Sequence, residues 1–272
     1  KASSQPLWRL LGGYGRPVSA YASSGYYRRL DSPEALAGRI ADARAAGYRG
    51  YKMKIGNIPQ VNHHEKRPYT VSLDEDIARI RAAREAIGTD RNLMVDANCA
   101  LNPRVAMRYA EELERLEVRW FEEPVAPENI SGCVDLAGRT RIPIAGFESE
   151  TTANTFAQLM DAGAIQIAQP DVVQVGGLTE FRKIAAYAGL RHLHVTGKNY
   201  STAVGQAATL AMLYAVPHGD YFEDEHDPLP WRQEIVEKPY VTLDDGLAAP
   251  CDEPGLGLSI DEAALATWAL LG

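Results

Sequence analysis

Eight short apolar runs separated by seven amphipathic stretches predict an α/β fold of alternating strands and helices, a TIM-like (β/α)8 barrel. Two further observations favour closure into a barrel. The runs are continuously apolar rather than alternating, as strands covered on both faces must be. No glycine-rich phosphate turn follows the first run, which disfavours the open doubly wound sheet that the same pattern also allows.

Strands are expected at 18–22, 48–55, 93–95, 118–121, 142–145, 165–168, 193–196 and 221–222. Helices are expected between them at 33–46, 73–87, 104–116, 129–138, 154–162, 178–189 and 202–216. Three pieces fall outside this repeat. Residues 1–16, with a glycine stop at Gly12-Gly13, read as a helix end and linker from an upstream domain, so the barrel is expected over 17–226. The long polar loop at 57–72 holds His63 and His64 directly after the second strand, either as a lid at the barrel mouth or as a plain exposed insertion. The proline- and glycine-rich tail at 227–272 ends in a short helix at 261–271 and is expected to pack across the barrel bottom or onto the upstream domain.

Composition sets outer bounds. The 272 residues are 46% hydrophobic and 24% charged, an ordinary globular balance. A net charge of -8 argues against a nucleic-acid surface. Cys99, Cys133 and Cys251 form no metal or redox spacing, so a reduced, cytoplasmic setting is expected. No apolar run is long enough to span a bilayer and no signal peptide is visible, so no membrane partner is expected.

Chemistry begins at the second strand. Lys52 and Lys54 are two residues apart and so project to one side of it. Two ammonium groups held that close depress each other's pKa, and a lysine shifted toward neutrality can serve as a general base. The plainer alternative is a pair of solvated lysines on an edge strand.

The next three strands each end in an acid: Asp96, Glu122 and Glu148. All three land on one rim, a βα unit apart each time, where their carboxylates can converge over the barrel axis. Such a trio needs a counter-cation, since mutual repulsion raises the pKa of each. An all-oxygen set suits Mg²⁺ before Mn²⁺ or Ca²⁺. Any one of these acids alone would read as a helix N-cap.

Asn98 shares a face with Asp96 and can hydrogen-bond a substrate oxygen, while Glu123, Pro124 and Glu150 read as flanking or turn residues. Asp171, Lys198 and Glu223 follow the sixth, seventh and eighth strands, and Asp171 is expected to pair with Lys198. A cation on a substrate carboxylate, with Lys52 beside it, can carry the charge that develops when a lysine removes the α-proton.

These residues resemble the enolase superfamily, in its mandelate racemase-like branch, over nearly the whole chain. The resemblance rests on Lys52-Met53-Lys54, Asp96-Ala97-Asn98, Phe121-Glu122-Glu123-Pro124, Ile144-Ala145-Gly146-Phe147-Glu148, Gln169-Pro170-Asp171 with Gly176-Gly177, and Pro254-Gly255-Leu256-Gly257. It implies the modified (β/α)7β barrel, an N-terminal capping domain upstream, and a homo-oligomer. It also implies Asp96, Glu122 and Glu148 as Mg²⁺ ligands, Lys54 as the base, Lys52 as the lysine on the substrate's carboxylate, and Glu223 as an orienter near that carboxylate.

One departure is chemical: Lys198 stands where the branch places a histidine. His192 and His194 share its strand parity, but His194 lies about 13 Å deeper at roughly 3.3 Å per residue, where a hydrogen-bonded core histidine is expected. A protonated Lys198 can donate to a departing hydroxide but cannot remove a proton. The expectation is therefore dehydration of an acid sugar, ahead of racemisation or epimerisation, with a non-catalytic metal-binding relative as the reading of another class. Cycloisomerisation or dipeptide epimerisation ranks below these, because those groups carry lysine where Asp171 stands.

Overall fold

A computed structural model describes residues 2–24, 32–56, 72–226 and 230–269. The expected loop at 57–72, with His63 and His64, lies outside the described residues except for Ser72.

Eight parallel strands close on themselves: β1 (Val18–Ser23), β2 (Gly50–Lys54), β3 (Asn92–Asp96), β4 (Phe121–Glu122), β5 (Ile144–Gly146), β6 (Ile167–Ala168), β7 (His194–Gly197) and β8 (Gly219–Glu225). Each pairs with the next, and β1 closes the ring by pairing with both β2 and β8. After a one-turn helix α1 (Leu7–Leu10), the seven connections carry α2 (Pro33–Ala45), α3 (Leu73–Ile87), α4 (Pro103–Arg115), α5 (Ile130–Arg139), α6 (Ala153–Asp161), α7 (Leu178–Leu190) and α8 (Ala203–Ala215). Among the described residues β8 leads to a short helix, α9 (Pro230–Glu234), in place of an eighth long barrel helix, the (β/α)7β arrangement.

Local chemistry starts these helices where the strands deliver them. Ser32, Asn102, Asn129 and Thr152 each accept from a backbone N–H three residues on, which satisfies a donor that the first turn leaves open. Ser72 and Glu75 form a capping box at the head of α3. Outside the sheet, Ile40, Ile80, Leu113, Leu136, Phe156, Phe181 and Leu210 fill the layer between strands and helices.

Inside the barrel a second, smaller cluster forms from Tyr21, Met94, Trp120, Ala145 and Ile167, with Tyr221 packed against it. Met94, Trp120 and Tyr221 each stand two residues before Asp96, Glu122 and Glu223, whose side chains reach the mouth. Tyr21 and Tyr221 both meet the Trp120 ring edge-on, at 5.4 Å between centroids. An aromatic floor therefore closes the barrel beneath its polar rim.

The tail holds more structure than its proline and glycine content suggests. β9 (Val241–Asp244) and β10 (Leu247–Pro250) form an antiparallel hairpin, and β10 pairs with the first residues of β1, Val18 and Ser19. Its turn, Asp245-Gly246, has φ of 46° and 67°, the left-handed pair that Asp-Gly adopts cheaply. A final helix, α10 (Glu262–Ala269), follows. Among the described residues no helix is long and apolar enough to cross a membrane.

One buried network fixes the mouth end of β2. Asp76, fully buried on α3, accepts from the Gly56 N–H at 2.6 Å, from the Tyr109 hydroxyl at 2.8 Å and from Arg79 at 2.7 Å. Arg79 in turn donates to the carbonyl of Lys54 at 3.3 Å. Asp76→Ala takes a buried carboxylate away from Arg79, the Gly56 N–H and the Tyr109 hydroxyl together. Denaturant unfolding should show a loss of about 3–5 kcal/mol; a loss below about 1 kcal/mol would mean that the network is solvated and holds nothing in place.

Candidate active site

Strand register brings the first three charged groups side by side. Lys54 pairs across β2–β3 with Asp96, and Asp96 across β3–β4 with Glu122. Glu148 reaches the same place from the turn after β5. One carboxylate oxygen from each of Asp96, Glu122 and Glu148 lies within 4.8 Å of the others.

Three lysines stand among these acids. Lys54 is hydrogen-bonded to Asp96 Oδ2. Lys52 is bonded to Glu122 Oε1, and its ammonium lies 2.8 Å from Glu223 and 3.6 Å from Asp96. Lys198 sits 2.7 Å from Glu148 and 3.7 Å from Glu223. All of these side chains are buried except that of Glu148, which is 14% exposed.

The solvated-lysine alternative is therefore out: β2 is flanked by β1 and β3, and both of its lysines are enclosed. The expected mutual depression does not hold for Lys52. Burial alone would lower it, but Glu122 and Glu223 outweigh that and hold it well above the usual lysine value. Lys198 behaves alike, raised by Glu148 and Glu223 against its burial. The acids show the cost of crowding: burial first, then Asp96, pushes Glu122 up to about 7. Burial and Glu148 push Glu123 well above the carboxylate range.

Turn geometry sets the remaining parts. Asn98, at φ 43°, donates its backbone N–H to Asp96 Oδ1 at 2.8 Å and its amide to Oδ2 at 3.4 Å. It thus grips Asp96, with its own Oδ1 buried and unpaired. Glu123, at φ 41°, swings away from the barrel interior and accepts from the Glu148 N–H at 3.1 Å, tying β4 to the turn that carries Glu148. Gly146 makes room for it, since a Cβ there would lie 2.8 Å from Glu123 Cγ.

Asp171 and Lys198 meet as a backbone bridge, with the Lys198 N–H donating to the Pro170 carbonyl at 3.2 Å. Their side chains diverge from the expected pair. Asp171 accepts from the Val173 N–H at 2.7 Å, and burial raises its pKa, while the Lys198 ammonium turns to Glu148 and Glu223.

His194 also differs from expectation. It starts β7, in register with Ile167, with its side chain half exposed and Nδ1 2.5 Å from Asp220. Four residues back along a short strand overshoots the barrel interior and reaches the solvent at its bottom. His192 is exposed as well.

Three contributors escaped the sequence reading. Trp120 Nε1 donates to Glu122 Oε2 at 3.0 Å, and Gln169 Nε2 donates to the same oxygen at 2.9 Å. The Asn199 N–H donates to Glu223 Oε2 at 3.1 Å. Trp120 and Gln169 were accessible by parity, two residues before Glu122 and Asp171 on the same faces. Asn199 acts through its backbone, for which side-chain patterns give no signal.

Residues 35–264 match the family model described as Enolase C-terminal domain-like. The chain is 32% identical over 266 residues to the D-galactarolactone cycloisomerase of Agrobacterium fabrum, covering 94% of this chain and 66% of that protein. It is 30% identical over 260 residues to the arabinonate dehydratase of Saccharolobus solfataricus (96% and 66%). Among solved structures, the 3,6-anhydro-D-galactonate cycloisomerase from Zobellia galactanivorans superposes with a TM-score of 0.87 at 29% identity, over 98% of this chain and 70% of that one. The chain thus spans slightly under two thirds of the length of these curated relatives. With a family match over most of its length and relatives of this kind, the chain belongs to the enolase superfamily, as a member of the Enolase C-terminal domain-like family.

Proposed function

We propose that this protein is a Mg²⁺-dependent acid-sugar dehydratase in which Lys54 removes the α-proton of a carboxylate substrate and water leaves from the β-carbon. The observation that carries this is the convergence of three carboxylate oxygens within 4.8 Å beside two buried lysines of one strand.

The donor set fits the cation. It is all oxygen, it is crowded enough to raise Glu122, and it lies on strand ends that cannot spread apart. Asp96, Glu122 and Glu148 would hold Mg²⁺, with Mn²⁺ the nearest substitute. When bound, the ion supplies positive charge against the enediolate that proton removal creates.

The chain's own residues do the rest. Lys54 takes the proton. Lys52, held by Glu122 and Glu223, faces the substrate carboxylate and shares its growing charge, and Glu223 fixes that lysine. Asn98 keeps Asp96 in place and offers its amide to a substrate oxygen. Lys198, carried just past the end of β7 and bridged to Asp171 through the backbone, presents N–H donors to the β-hydroxyl as it departs. Relatives named arabinonate dehydratase, D-xylonate dehydratase and L-talarate/galactarate dehydratase support the substrate class.

Incubation of the full-length protein with a panel of sugar acids and Mg²⁺ should yield 2-keto-3-deoxy acids. Mg²⁺ binding with no α-proton exchange in any member would mark a non-catalytic relative, and inverted configuration with solvent deuterium at the α-carbon a racemase. The cycloisomerase relatives support a second outcome, in which the leaving oxygen belongs to a lactone or anhydro ring and the ring opens without loss of water. Including lactones and anhydro sugars in the panel separates the two.

Lys198→Met should lower product formation by about 10²–10⁴-fold while α-proton exchange with solvent continues. An equal fall in exchange and product would remove Lys198 from the leaving-group side.

A further inference from the structure

We propose that Trp120 and Gln169 are positioning residues for Glu122, holding one of its oxygens so that the other alone faces the cation; this rests on the metal role given above. Both side chains spend a donor on Oε2, at 3.0 Å and 2.9 Å. Oε1 is left toward Lys52. A carboxylate with two N–H donors on one oxygen cannot rotate without stranding both, and Glu122 and Gln169 are fully buried, so water cannot replace them.

Each donor is itself locked. The Trp120 ring is gripped edge-on by Tyr21 and Tyr221, so its N–H has one direction to point. Turning over the Gln169 amide would set its Oε1 against Glu122 Oε2, two acceptors in contact, so the nitrogen must face the carboxylate. The Lys52 ammonium lies 5.5 Å above the Tyr21 ring, so one aromatic floor supports both members of the Lys52–Glu122 pair. In this arrangement Glu122 would offer the cation a single oxygen, its aim set by the two donors that hold the other.

The test compares Trp120→Phe, which keeps an aromatic ring but removes the donor, with Gln169→Met, which keeps the length but removes the amide. Mg²⁺ affinity is measured by titration calorimetry, with melting in chelator as a control for folding. Each variant should bind Mg²⁺ about 10–100-fold more weakly. The indole N–H reports the charge on Glu122, so the change in tryptophan emission on adding Mg²⁺ to the wild type should vanish in Trp120→Phe and persist in Gln169→Met.

Affinities within twofold of wild type in both variants overturn the proposal. Asp96→Asn is run alongside. If it loses Mg²⁺ while the other two do not, the positioning idea alone fails; if it binds Mg²⁺ like wild type, the metal assignment itself has failed.

Discussion

Replacing Lys54 by methionine should reduce α-proton exchange and product formation together, by about 10²–10⁴-fold, while Mg²⁺ binding survives. Methionine preserves the length and the packing of the stem, so β2 stays in register with β3 and the Asp76 network still ties its end. What disappears is the amine bonded to Asp96 Oδ2, beside the acid trio. Lys52 cannot take over, because Glu122 and Glu223 already hold it as a firmly protonated ammonium. Exchange is followed by deuterium incorporation into a substrate identified from the sugar-acid panel. Retention of exchange in Lys54→Met would assign proton removal to another group and undo the proposed mechanism at its first step.

The second large effect is expected at Asp96. Asp96→Asn keeps size and shape but removes a charge that both β2 lysines share, at 3.6 Å from Lys52 and in direct contact with Lys54. Two consequences follow from one substitution. The trio of oxygens loses a charged ligand, so Mg²⁺ affinity should fall by more than the roughly 10–100-fold that outer-shell changes cost. Two buried ammonium groups also lose a counter-charge, so the protein should be less stable by on the order of 3 kcal/mol in the absence of metal. Calorimetric titration and denaturant unfolding measure the two separately. Unchanged Mg²⁺ binding would show that the cation is held elsewhere.

Lys54, Asp96, Glu122 and Glu148 were legible as strand-end charges because a βα repeat forces every strand to deliver its last residue to the same rim. Strand parity settled which lysines share a face. The same parity misled at His194, since parity gives direction but not where a short strand begins, and β7 begins at that residue. The hairpin of β9 and β10 is signalled by Asp245-Gly246 at its turn, but the high proline and glycine content of the tail masks that signal.

By itself, then, the sequence determined the order of strands and helices, the face on which the charges gather and the oxygen-only character of the trio. Those follow from period and residue type, which are local. Only the closed barrel decided which charge touches which: Lys198 with Glu148 and Glu223 instead of Asp171, and Glu122 shared by Lys52, Trp120 and Gln169. Partners on strands as far apart as β4 and β6 are set by register and by the depth of each side chain above the aromatic floor. Both are products of packing between distant segments, and no spacing along the chain encodes them.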